Sequence, residues 1–109
     1  MRIWDIPPGF LCRQHLLGEH RELHAVWNII TEGKKGYSHH PETLRWSGKL
    51  NALYLRHEQL VREIVGRGYC HHSPLDRGKA WGKRIQRDYV DSLEEQRRIL
   101  KGKRCGCRV

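Results

Sequence analysis

Hydrophobic residues recur at helical spacing in three stretches of the chain. From about Cys12 to Thr31, the residues Cys12, Leu16, Leu23, Val26, Trp27 and Ile30 fall on one stripe of a helix. Pro7-Pro8-Gly9 precedes this stretch and Gly33 supplies a stop. The opposite face carries Gln14, Gly18, Arg21, Glu22 and Ala25. Glycine inside a helix costs up to about 1 kcal/mol relative to alanine, so Gly18 suggests the close approach of another group. A second helix is predicted from about Lys49 to Val65, with Leu50, Leu53, Tyr54, His57, Leu60, Val61 and Ile64 facing inward. Arg56, Arg62 and Glu63 fall on its solvent side, and Gly66 and Gly68 end it. His57, inside the apolar stripe, reads as a hydrogen-bonded core histidine rather than a ligand.

The third predicted helix, about Ser92 to Lys101, opens on a capping box of Ser92 and Glu95 and closes at Gly102. Leu93, Gln96 and Leu100 face inward, with Tyr89 joining them. Residues 69–90 are ambiguous, and Trp81 and Ile85 are placed for an extra helical turn. No stretch alternates β-branched and polar residues, so the expected fold is all-α: a single compact domain, residues 1–109, of three main helices with long connecting loops. Residues 102–109 read as a basic tail.

Charge sharpens this picture. The chain carries 21 Lys+Arg against 12 Asp+Glu, a net charge of +9. Solubility asks only for a net charge of about 2–8, so the excess points to a polyanionic partner, nucleic acid first. No apolar run approaches the roughly 18–20 residues that cross a bilayer, and the N-terminal residues lack the pattern of a signal peptide. The expectation is a soluble cytoplasmic protein, nucleoid-associated if bacterial or archaeal, with no membrane partner. Arg97, Arg98, Lys101, Lys103 and Arg104 make the end of the third helix strongly basic. The connection from Gly33 to Ser47 interleaves Lys34, Lys35, His39, His40 and Arg45 with Tyr37 and Trp46. That mixture suits phosphate contacts plus base stacking; an ordinary polar loop with both aromatic rings on the core fits it equally.

Four cysteines stand at Cys12, Cys70, Cys105 and Cys107. Cys105-Gly106-Cys107 lacks the two-residue spacer of a zinc knuckle. A ligand set could be assembled on paper with Cys70, His71 and His72, but free thiols in a reducing compartment are the expectation, with no metal and no cofactor. Nothing matches a nucleotide-binding loop, a metalloprotease helix or a Ser-His-Asp arrangement.

A different constellation occupies the first part of the chain. Arg2-Ile3, then Gln14-His15-Leu16, then Arg21-Glu22-Leu23 on one helix, and later Arg67-Gly68-Tyr69 at the end of a helix rich in Leu and Arg, resemble the phage endonuclease V family of pyrimidine-dimer DNA glycosylases. The likeness covers roughly residues 1–75. It implies a DNA repair glycosylase with abasic-site lyase activity, acting on pyrimidine dimers in double-stranded DNA as a monomer and without metal. The implied nucleophile is the N-terminal α-amine, here of Met1, because Arg2 is too bulky for the usual removal of the initiator. The implied acid–base residue is Glu22. Arg2 and Arg21 become phosphate clamps, and Gln14 and His15 shape the DNA-facing site. Arg97, Arg98 and Lys101 are the further DNA contacts expected from charge. Trp4, Tyr37 and Trp46 are candidates to fill the space of an extruded base.

The nucleophile makes chemical sense. An α-amine titrates near 7.7–8.0, against about 10.4 for lysine, so about 10–15% of it is free base at neutral pH. Three departures stand out: Met1 stands where the phage enzyme presents a threonine amine, Ala25 replaces an arginine one turn after the glutamate, and the family's aromatic C-terminal segment has no counterpart. A glycosylase/lyase for other lesions and a non-enzymatic DNA-binding module are the alternative readings.

Overall fold

The computed structural model describes residues 2–33, 39–71 and 73–109. Among the described residues four helices follow one another: α1 (Arg13–Glu32), α2 (Pro41–Leu44), α3 (Leu50–Gly66) and α4 (Leu93–Gly102). Short 3-10 turns lie at Pro8–Phe10 and Arg77–Lys79. The three long helices are the predicted ones, each displaced by one residue. Gly33 ends α1 in the left-handed conformation, φ +64°, with its N–H on the Ile29 carbonyl. Ser92 accepts from the Glu95 N–H, but the Glu95 carboxylate turns to Arg98 and leaves the capping box half made. Among the described residues the fold is helical, the only bridge being the isolated pair Lys49 and Gly82. No helix there is long and apolar enough to cross a membrane.

The core is the face between α1 and α3. Leu16, Leu23 and Val26 meet Leu50, Leu53, Leu60 and Ile64, all fully buried. Ile29 is buried where the periodicity put Ile30, which is half-buried. Residues 2–11 form an arm threaded into this core: Ile3, Trp4, Ile6 and Leu11 are buried. An arm without a strand partner buries backbone groups that must find other partners. Side chains supply them. Glu19 accepts from the Trp4 N–H at 3.1 Å. Arg45 donates to the Ile3 carbonyl at 2.8 Å and Arg56 to the Ile6 carbonyl at 2.9 Å. Gln96 accepts from the Asp5 N–H at 2.8 Å, and Arg67 donates to the Leu11 carbonyl at 2.6 Å.

Several expectations are corrected by this arrangement. Arg56 is 8% exposed rather than on the solvent side, because its guanidinium is shared between the fully buried Glu19 carboxylate and the arm. Of the two readings of the Gly33 to Ser47 connection, the one with the ring on the core holds for Trp46, and Arg45 is buried beside it. Arg45 pairs with Asp5 and Glu42, and the Trp46 ring nitrogen donates to Glu42. Trp81 and Ile85 form no extra helical turn and are 59% and 63% exposed; Tyr89 also stays out of the core. The Trp81 and Lys83 carbonyls instead accept from the Asn51 and Ala52 N–H groups, donors at the start of α3 that no side-chain cap satisfies. The basic tail, residues 102–109, lies against the rest of the fold. The Arg108 N–H bonds the Phe10 carbonyl at 2.7 Å, and Cys107 and Val109 pack on the core.

Candidate active site

The arm, α1 and the segment after α4 enclose an open cleft of about 320 Å³. Arg2 and Trp4 line it from the arm; Gln14, His15, Gly18 and Glu22 line it from α1. Glu22 is half-buried, one turn along α1 from Gly18. A Cβ on Gly18 would meet nothing within 4 Å, so the close approach expected there is not made by any described protein group and the position faces open space. Gly18 and Gln14 also line a second cleft of about 600 Å³, where Arg13 and Arg21 stand. Gln14, His15, Arg21 and Glu22 therefore line two adjoining clefts along α1, while Leu16 and Leu23 of the same triplets are buried in the core.

Each polar group has an identifiable setting. The Arg2 guanidinium lies 4.7 Å from the Trp4 ring centre and pairs with Asp91 at 2.9 Å. Trp4 meets His15 edge-on, centroids 5.8 Å apart. Burial, and then the nearby Lys103 cation, hold His15 below its ordinary pKa. Glu19, one turn before Glu22, is occupied by Arg56 and the Trp4 N–H. Burial pushes its carboxyl up while Arg56 opposes that shift. Glu19 thus anchors the arm, and Glu22 is the α1 carboxylate left facing the cleft.

The structure brings Arg2, Gln14, His15 and Glu22 together and sets Arg21 beside them. It does not bring Arg97, Arg98 or Lys101 to either cleft. All three are exposed on α4, and Arg98 pairs with Glu95. The sequence reading missed Ile99, on α4, and Lys103, just after it, as lining of this cleft; no local signal marks residues of one helix and its end as part of a site on another helix. Trp4 and Trp46 are 5% and 3% exposed, so neither is free to enter a duplex as it stands. Met1, Lys34, Lys35 and Tyr37 lie outside the described residues.

Two further clusters could hold a metal: Cys12, His15, Cys105 and Cys107, and His20, His24, His57 and His71. Cys70, the cysteine that the paper ligand set used, belongs to neither and is exposed. His57 is fully buried, as its stripe requires, but its neighbours are histidines. Burial, then His24, His57 and His71, lower the His20 pKa to about 4.

The family model described as pyrimidine dimer DNA glycosylase matches residues 1–77, the part of the chain that holds the arm, α1 and α3. No curated protein and no solved structure matches the chain.

Proposed function

The chain belongs to the pyrimidine dimer DNA glycosylase family, and from that premise we propose that it is a bifunctional glycosylase and abasic-site lyase working through the α-amine of Met1. The family makes it a DNA repair enzyme with a DNA substrate. The amine attacks the sugar carbon bearing the damaged base, the base departs with a proton, and the bond from that carbon to the ring oxygen then opens, the oxygen taking a proton from the nitrogen. The resulting imine acidifies the neighbouring sugar proton, Glu22 takes it, and the strand breaks by β-elimination of the phosphate. The observation that carries this reading is that Arg2, one peptide bond from Met1, lines the same cleft as Glu22.

Each remaining residue then has a role. The Arg2 and Arg21 cations clamp phosphates on either side of the lesion. Gln14 and His15 shape the floor, and Gly18 leaves room for the sugar-phosphate chain. Arg97, Arg98 and Lys101 lie outside the clefts and act on more distant phosphates of the duplex. The enzyme works as a monomer on double-stranded damaged DNA, extruding or kinking the lesion at a cost of a few kcal/mol that damage itself reduces. The chemistry uses no metal ion.

The test is reductive trapping. Protein with its native N-terminus, mixed with dimer-containing duplex and borohydride, should give a covalent protein–DNA adduct, and acetylation of the amine should abolish it. Absence of an adduct on both dimer-containing and abasic duplex with folded, unblocked protein overturns the amine mechanism. An adduct on abasic duplex alone favours the lesion-independent lyase.

A further inference from the structure

Two groups of side chains converge in a way that hydrogen bonding does not explain. In the first, Cys12 caps α1 and His15 lies one turn later, while Cys105 and Cys107 arrive from the segment after α4. The His15 Nδ1 stands 3.1 Å from the Cys12 Sγ, 3.2 Å from the Cys105 Sγ and 3.5 Å from the Cys107 Sγ. The Cys105 and Cys107 sulfurs are 3.5 Å apart. One imidazole nitrogen carries either one proton or one lone pair, so it cannot serve three thiols. A tetrahedral zinc ion with Zn–S near 2.3 Å and Zn–N near 2.05 Å requires ligand–ligand edges of about 3.5–3.8 Å. The two 3.5 Å spacings reach that range, and the 3.1 and 3.2 Å spacings are somewhat shorter than it. The Cys12 N–H also points at the Cys107 Sγ, 3.1 Å away, a donor suited to a thiolate.

The second group rests on different residues. His20 and His24 are one turn apart on α1, His57 is on α3, and His71 follows α3. The Nε2 atoms of His20, His24 and His57 form a triangle with sides of 3.2, 3.3 and 3.2 Å. Three such nitrogens cannot be mutually hydrogen-bonded, since each is only a donor or only an acceptor. Four imidazoles around a metal at about 2.05 Å have edges near 3.35 Å. The other ring nitrogen of His57 contacts the Glu58 carboxylate at 3.0 Å, the outer partner that orients a ligating histidine. The His71 Nε2 is engaged by the Ser73 carbonyl at 3.0 Å, which leaves its Nδ1 for the cluster.

We propose that the protein holds two structural metal ions: a zinc in the Cys12, His15, Cys105, Cys107 set and a divalent transition ion, zinc first, in the His20, His24, His57, His71 set. Both sets supply four protein ligands and so leave no position for substrate, which separates them from catalysis. The thiols surrender their protons to solvent as the first ion binds. That ion ties the C-terminal segment to the start of α1 and thereby holds His15 and Lys103 on the cleft wall. The second ties α3 and the segment after it to α1. Neither site depends on the amine mechanism.

The experiment counts metal. Full-length protein, produced with zinc, kept reduced and dialysed, should contain two zinc ions per chain by elemental mass spectrometry. The C105S/C107S variant should lose one, and H24A/H71A the other. Metal-stripped wild type should take up two cobalt ions, with a thiolate-to-cobalt charge-transfer band for one of them. The wild type alone decides if a variant fails to fold. One ion with the thiolate band overturns the four-histidine site; one ion without it overturns the cysteine site; no ion above trace, with no cobalt uptake, overturns both.

Discussion

The arm of residues 2–11 and the segment of residues 69–91 are both proline-containing, largely irregular stretches, yet the fold treats them oppositely. The arm buries Ile3, Trp4, Ile6 and Leu11 and hands its backbone groups to buried side chains from α1, α3 and α4. In the segment, Leu75 alone is buried among the described residues, while Trp81, Ile85 and Val90 are half or more exposed. Its main internal service is backbone to backbone, at the start of α3. Apolar residues alone therefore do not draw a loop into the core. The arm goes in because Glu19, Arg45, Arg56 and Gln96 complete its hydrogen bonds, removing the penalty of roughly 1–3 kcal/mol for each group otherwise left buried and unpaired. An arm held this way keeps Arg2 in the Glu22 cleft.

The comparison can be broken at four places, in order of expected effect. Glu22→Gln, where the arm meets α1, removes the base but keeps the shape. Cleavage of dimer-containing duplex should fall by at least about 100-fold while DNA binding persists; wild-type cleavage would remove Glu22 from the mechanism. Arg56→Ala leaves Glu19 as a buried carboxylate without its partner and frees the Ile6 carbonyl. Denaturant melting should show a loss of about 3–5 kcal/mol, and the double change Glu19→Gln with Arg56→Ala should cost less than the two single losses added.

The other two places lie in the segment. Gly82 has φ +87°, and a Cβ there would sit 2.2 Å from the Gly48 carbonyl oxygen. Gly82→Ala should cost about 1–3 kcal/mol in the same melt, through strain and displaced backbone bonds to α3. Trp81→Ser changes an exposed ring and should stay within about 0.5 kcal/mol of wild type. A larger loss would mean that the segment is held by its side chains after all, as the arm is.

Much of the frame was legible beforehand. The three long helices, the Gly33 stop and the Ser92 cap follow from spacing and end chemistry. The cleft face of α1, with Gln14, Gly18 and Glu22, was also legible, since residues on one helix keep fixed relative directions. Lys103 was not, because it reaches the cleft from a segment distant in sequence. Arg56 was placed on the solvent side and Arg45 in a polar loop, and both are buried because a charged group can stay in the interior when it is paired and hydrogen-bonded.

The sequence by itself determined the helices, their stripes, the basic charge and the family, because each is a matter of residues close along the chain or of composition. Tertiary structure alone decided which polar residues are buried, where the arm runs and which ligands meet. Glu19 joins Arg56, and Cys12 and His15 join Cys105 and Cys107, across distances in sequence that no helical period spans. Ion pairing and metal geometry depend on separations of a few ångströms, and only the packing of α1 against α3, the arm and the C-terminal segment sets those separations.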